Sequence, residues 1–196
     1  MKIPHVLAAL LLVQTATAVA AAPAADAAPA SAVEGFQISP RIGKSTLTVK
    51  PGIVQSGQTG SFDALLSGID LSYTLPGGPM AEIGYGSQGN WSWFGTQDAY
   101  RLREYSLAVG FQIHTPRDFL ITPKVGRSSW DLSSQDVVFR NPDAGHGDRI
   151  SGYQNFWELS LQKQIRHAAA LGVTYKDNHY DFGSVRSIAF TASFYL

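Results

Sequence analysis

The sequence predicts an all-β chain, folded as an eight-stranded antiparallel up-and-down transmembrane β-barrel with short periplasmic turns and long extracellular loops. Three observations lead to it. Apolar and polar residues alternate in eight segments after residue 33. No stretch beyond that point is apolar for 18 residues, which excludes a helical span. The connections between segments alternate long and short.

The N-terminus reads as an export signal. Lys2 supplies a positive charge, Val6 to Val13 an apolar run, and Ala18-Val19-Ala20 a small-residue cleavage site. Gln14 and Thr15 interrupt the run well short of a bilayer span. Residues 1–20 are therefore expected to be a signal peptide. Residues 21–33, rich in Ala and Pro, are expected to be a disordered leader, and residues 34–196 the barrel, a single domain by length.

Composition narrows the function classes. Loss of Lys2 leaves a net charge near −1, which gives no nucleic-acid footprint. The absence of cysteine excludes a lipid-modified N-terminal Cys, a disulfide scaffold and a thiolate metal site. Charged residues make up 15% of the chain, against roughly 25% in soluble proteins. Much of the surface is thus expected to face something other than water.

The eight segments follow in order. Phe36, Ile38, Pro40 and Ile42 share a face against Gln37, Ser39, Arg41 and Gly43. Leu65, Ile69, Leu71 and Tyr73 oppose Leu66, Gly68, Asp70 and Ser72. Ala81, Ile83 and Tyr85 oppose Glu82, Gly84 and Gly86. Tyr105, Leu107, Val109, Phe111 and Ile113 alternate with Glu104, Ser106, Ala108, Gly110 and Gln112. Phe119, Ile121, Pro123 and Val125 oppose Leu120, Thr122, Lys124 and Gly126. Trp157, Leu159 and Leu161 oppose Glu158, Ser160 and Gln162. Ala169, Leu171, Val173 and Tyr175 oppose Ala170, Gly172, Thr174 and Lys176. Ile188, Phe190, Ala192, Phe194 and Leu196 oppose Ser187, Ala189, Thr191, Ser193 and Tyr195.

The polar faces decide which side points inward. They are rich in Gly, Ala, Ser and Thr and poor in the Lys and Glu of a water-facing sheet. Small residues fit a narrow lumen, so the large apolar residues are expected to meet lipid. The long connections are expected at about 45–63, 87–98, 128–152 and 177–185. The short ones are expected at Leu75–Pro79, His114–Asp118 and Arg166–Ala168, two of them marked by Pro and turn formers.

Signal, segments, loop asymmetry and the terminal apolar series together resemble the small eight-stranded bacterial outer-membrane β-barrel family, of the OmpX/OmpA transmembrane-domain type. The terminal series Ile188, Phe190, Phe194 and Leu196 resembles the signal read by the barrel assembly machinery, with Leu196 where Phe is usual. The resemblance implies an outer-membrane location and contact with membrane lipid and lipopolysaccharide. Members of this build serve as adhesins, structural or stress-related surface proteins, narrow channels or lipid-modifying enzymes.

Arg41, Asp70, Glu82, Glu104, Lys124, Glu158 and Lys176 are expected to point into the lumen, with Arg41, Lys124, Glu158 and Lys176 at similar mid-barrel height. Desolvated charges must pair, so the readings are a salt-bridged plug or a gated path for protons or small ions. Trp91, Trp93 and Phe94 in the second external connection, Tyr100 entering the next strand, and Trp130 in the third connection are read as interfacial or loop aromatics, either a girdle or a partner-binding tip. His146 with Asp143 and Asp148 is read as a solvated loop cluster, with a weak cation site as the alternative. His114 and His167 fall in periplasmic turns, and His179-Tyr180-Asp181 lacks the Ser of a His-x-Ser lipid deacylase motif. No catalytic set and no cofactor motif appears. The expectation is a non-enzymatic surface barrel, with a loop-mediated, structural or stress-related role and a side-chain-plugged lumen. The alternatives are a narrow channel for a small or hydrophobic solute, and an outer-leaflet lipid A-modifying enzyme.

Overall fold

A computed structural model describes residues 34–50, 61–89, 100–133, 139–141, 145–147, 149–166 and 168–196. The expected signal peptide and leader lie outside the described residues, as do Trp91, Trp93, Phe94, Asp143, Asp148 and His167. Eight long strands form the wall: β1 (Gly35–Val49), β2 (Ser61–Thr74), β3 (Pro79–Gly89), β4 (Arg101–Phe111), β5 (Phe119–Ser133), β6 (Arg149–Arg166), β7 (Ala169–Tyr180) and β8 (Gly183–Tyr195). A two-residue piece, Ile113–His114, continues β4 beside β5, and a small hairpin pairs Phe139–Asn141 with Gly145–Gly147 in the third external connection.

Each strand pairs antiparallel with the next, and β1 pairs with β8 from Gln37↔Tyr195 to Val49↔Gly183, which closes the barrel. Two prolines interrupt the ladders. The β1–β8 register skips from Ile38↔Phe194 to Arg41↔Thr191 around Pro40, and the β4–β5 register skips from Gly110↔Lys124 to Ile113↔Ile121 around Pro123. A proline has no N–H to give to the ladder.

The three short turns fall at one end, beside Gly35 and Leu196. In the first, Gly78 N–H donates to the Leu75 carbonyl and Leu75 N–H to Pro79. Gly77 and Gly78 hold φ values of 85° and 104°, a region open to glycine but costly for other residues. In the second, Asp118 takes φ 60° and Asp118 N–H donates to the Thr115 carbonyl. Asp is among the few side chains that tolerate that conformation.

The lower wall is inside-out relative to a soluble barrel. Phe111, Leu159 and Phe190 are 42%, 43% and 63% exposed on the outer face, while Ser72, Thr174, Ser187 and Ser193 are buried in the lumen. Phe36 meets Tyr73 edge-on with ring centroids 4.8 Å apart. Outward pairs Tyr85–Tyr105 and Trp157–Tyr175 stand at 5.1 and 5.2 Å.

Toward the other end the pattern inverts without a change of phase. Outward residues become polar: Lys44, Thr46 and Thr48 on β1, Arg127, Ser129 and Asp131 on β5, Arg186 and Ser184 on β8. Inward residues become apolar: Leu47 and Val49, Trp130 and Leu132, Val185. The upper wall is a water-facing barrel with its own apolar core. Its surface carries ion pairs across adjacent strands, Lys44–Asp63 at 2.7 Å and Arg149–Asp131 at 2.6 Å. Hydrogen bonds from Lys44 and Thr46 hold the Asp63 carboxyl below the usual carboxylate range.

This upper wall corrects the expected loop limits. Strand β1 runs on to Val49, β2 starts at Ser61, β5 reaches Ser133 and β6 starts at Arg149. The expected fourth long loop, 177–185, is a two-residue turn at Asp181 and Phe182 between β7 and β8. The apolar-outward signature ends where lipid ends, but backbone pairing does not depend on it.

The orientation sets a ranking of substitutions. Leu159→Arg is expected to cost roughly 2–4 kcal/mol of barrel stability. Ser160→Ala, which removes one lumen hydrogen bond, is expected to cost about 1 kcal/mol. Urea unfolding in lipid vesicles measures both, and a reversed order would exchange inside for outside.

Candidate functional site

The lumen is where the chemistry-bearing side chains meet. All seven residues expected there are inside, none more than 7% exposed. Five form one continuous chain of ion pairs. Arg41 Nη2 lies 3.3 Å from Asp70 Oδ1, and Arg41 Nη1 donates to Glu158 Oε2 at 3.1 Å. The other Glu158 oxygen pairs with the Lys124 ammonium, which also donates to both Glu82 oxygens at 3.0 and 2.9 Å. The remaining two form a separate pair, Lys176 Nζ to Glu104 Oε1 at 2.8 Å. Lys176 also sits over the Phe156 ring, 3.9 Å from its centroid, where the ring's negative face favours a cation.

Strand register explains the clustering. Lys124 and Glu158 are direct partners across β5–β6, as are Lys176 and Glu158 across β6–β7. Glycines make the room. A Cβ at Gly68 would stand 2.8 Å from Arg41 Nε, and one at Gly110 would stand 2.6 Å from Lys124 Cγ. A Cβ at Gly84 would collide with the Asp70 carboxylate. Long charged side chains from one strand thus lie across the bare backbone of the next.

Toward the turn end lies a layer of hydroxyls and amides. Gln37 Nε2 donates to Ser39 Oγ at 2.9 Å, and Ser39 and Ser193 share a hydrogen bond of 2.9 Å. Thr174 bridges Ser160 and Thr191 at 3.0 and 2.8 Å. Toward the external end lies an apolar seal. Trp130, Tyr180 and Phe182 pack with centroids 4.7–5.4 Å apart, surrounded by Leu47, Val49, Tyr100, Leu102, Leu132 and Val185. A Cβ at Gly152 would stand 2.8 Å from the Trp130 ring, so glycine provides the notch that seats the indole.

The seal corrects two expectations. Tyr100 and Trp130, read as interfacial or loop aromatics, are inside the lumen, 4% and 5% exposed. Trp130 belongs to a strand that continues past the apolar belt, and its position is inward. Tyr85, Tyr105 and Tyr153 stand outward near the upper edge of the belt instead. The seal residues Leu47, Leu102, Leu132, Phe182 and Val185 were legible only as an inversion of polarity within an unbroken alternation. The terminal series is outward, with Ile188, Phe190, Phe194 and Leu196 all exposed on or just beyond β8.

His114 and His179 are peripheral. His114 is partly buried beside the second turn, and burial holds its imidazole below the ordinary range against the pull of Asp118. His179 is outward on β7, its Nδ1 3.6 Å from Asp177 Oδ1, with Ser184 its partner across the ladder. That Ser is absent from a local His-x-Ser spacing but present in space. Among the described residues no group of three His, Asp or Glu side chains forms a metal-ligand set.

Truncating the bridging carboxylate leaves two buried cations short of a partner. Glu158→Leu is expected to cost about 3–5 kcal/mol. Glu158→Gln keeps a hydrogen-bond acceptor and is expected to cost less. The measurement is the urea midpoint in vesicles; equal midpoints for wild type and Glu158→Leu would deny the network its structural role.

No family model matches the sequence, and no curated protein matches it. Solved structures do match in fold. Neisserial surface protein A superposes with a TM-score of 0.63 at 9% identity, over 85% of this chain and 99% of that one. Ail, the attachment invasion locus protein of Yersinia pestis, superposes with a TM-score of 0.54 at 13% identity, over 83% of this chain and 99% of that one. At such identities the likeness concerns architecture alone, while the outward apolar belt independently calls for a bilayer. In fold, the chain is a small, closed eight-stranded antiparallel β-barrel with the architecture of these two proteins.

Proposed function

We propose that this protein is a non-enzymatic surface barrel, exported by a cleaved signal at residues 1–20. Its upper wall acts as a rigid platform presenting external connections to outer-leaflet glycolipid and to molecules outside the cell. The observation that carries this reading is the second, water-facing barrel stacked on the lipid-facing one, with an apolar core of its own. A protein that merely spanned the bilayer would not need it.

The lumen argues against the channel alternative. A paired-charge plug and an aromatic seal occupy successive layers of it. A narrow pore would need water to replace both. Planar-bilayer recordings are expected to show no unitary conductance for the wild type or for Glu158→Gln. Openings that appear in the wild type and change with Glu158→Gln would favour the gated-path reading.

The outer collar suits anionic glycolipid. Exposed Lys44, Arg103, Arg127 and Arg186 stand where the apolar belt gives way, near Tyr85, Tyr105 and Tyr153. Arg127 lies over the Tyr153 ring at 5.4 Å. Guanidinium groups above an acyl-facing belt match a phosphorylated lipid such as lipopolysaccharide. Ail has been solved with the heparin analogue sucrose octasulfate, an anionic sugar bound by a protein of similar fold. The double variant Arg103→Ala/Arg127→Ala is expected to retain several-fold less lipopolysaccharide through purification in mild detergent, measured by mass spectrometry. Unchanged retention would remove the collar from the reading.

A second reading rests on one observation, the grouping of Asp177, His179 and Ser184 on the outer wall. It would make the protein a lipid A-modifying hydrolase. Arg186 competes for the same carboxylate at 3.6 Å, which favours a surface ion-pair cluster. Lipid A mass spectra from deletion and overexpressing strains are expected to match; an acyl chain lost only when Ser184 is intact would reverse the choice.

The exposed series on β8 supports recognition by the barrel assembly machinery. Phe190→Ser with Phe194→Ser is expected to lower the folded yield in outer membranes. Refolding into pure lipid vesicles should be less affected, and equal losses in the two assays would assign the series to stability alone.

A further inference from the structure

We propose that the lumen binds one monovalent metal cation, of the sodium or potassium class, in a small chamber between the ion-pair chain and the turn end. The chamber has a volume of about 20 Å³, room for an occupant of about the size of one water molecule. Gln37, Asp70, Glu82, Gln112, Thr122 and Lys124 are among the residues that line it.

Charge balance calls for a cation. Among the described residues the lumen network holds four carboxylates, of Asp70, Glu82, Glu104 and Glu158, against three cationic groups, of Arg41, Lys124 and Lys176. With every group ionised, one negative charge is left over in a place where unbalanced charge is costly. The surplus sits on the chamber side. Glu104 is matched by Lys176 higher up, while Asp70, Glu82 and Glu158 share Arg41 and Lys124.

Hydrogen-bond accounting points the same way, and independently. Gln37 is 6% exposed, its amide nitrogen is committed to Ser39, and its Oε1 accepts no hydrogen bond. Asp70 is 3% exposed and its Oδ1 likewise accepts none, although Arg41 lies 3.3 Å away. An ammonium has three protons to give, and those of Lys124 face two oxygens of Glu82 and one of Glu158. The chamber wall therefore offers oxygen lone pairs in excess of donors. A neutral water brings no charge, whereas an alkali cation supplies the missing charge and accepts oxygen donors all round. With no trio of carboxylates gathered as metal ligands among the described residues, a divalent ion is not favoured.

The test uses the folded protein in detergent, with the heat-induced mobility shift as readout. Midpoints are compared in sodium, potassium and N-methylglucamine chloride at one ionic strength and pH. The wild type is expected to melt several degrees higher in at least one of the two alkali salts. Asp70→Asn, which removes the surplus charge, is expected to melt at one temperature in all three. Crystals soaked in thallium(I) are expected to show an anomalous peak among Gln37, Asp70 and Gln112 in the wild type, which keeps the proposal testable if Asp70→Asn does not fold. Identical wild-type midpoints in all three salts with no thallium peak would overturn it. A midpoint that moves with pH but not with cation identity would also overturn it, because the surplus charge would then be held by a proton.

Discussion

Closure of the ladder is the constraint from which the rest of this molecule follows. Hydrocarbon offers no partner to a peptide group, so each strand must satisfy its neighbours on both sides. The pairing of β1 with β8 supplies the last seam. Once the seam is closed with only eight strands, the inside is too narrow for water to fill freely. Inward side chains then have mostly one another for partners, and the lumen becomes a core. That core has unusual contents, because the apolar residues of the lower wall are already committed to lipid.

The lumen meets this demand in layers. Hydroxyls and amides bond to one another near the turns, five charges form a chain above them, and one further ion pair leads to an apolar cap. The charged layer depends on glycine. At Gly68, Gly84 and Gly110 any side chain would meet Arg41, Asp70 or Lys124, so bare strand backbone on one side accommodates a long side chain from the other. Buried ion pairs seldom add much stability over apolar packing. Here the paired charges keep the inner face polar while the outer face of the same wall is apolar.

Much of this was legible in the sequence. Alternation at Tyr105–Ile113 and Trp157–Gln162 marked strands and faces, and the small residues opposite settled which face was inward. The seven lumen charges followed from parity alone, since a side chain in a strand has only two directions. What escaped was the upper wall. At Lys44, Arg127 and Arg186 the outward residues change from apolar to polar, and a search for an apolar outer face ends there. Ladder hydrogen bonds continue regardless, so Trp130 became a core residue instead of a loop aromatic. Which charges would pair was also hidden, because pairing depends on the stagger of all eight strands and no local spacing encodes it.

The unequal lengths of the strands have a further consequence, for reach. Strand β6 has 18 residues, about 60 Å of chain at roughly 3.3 Å per residue, or about 45 Å of height at a tilt near 40°. The hydrocarbon band of such a barrel takes up about 25 Å. Some 20 Å of stiff scaffold is left to stand among the sugars of the outer leaflet, tallest at β5 and β6 and cut short at the tight turn after Tyr180. The described rim is therefore uneven, and the side of β5 and β6 offers a large visitor more stiff wall than the side of β7 and β8.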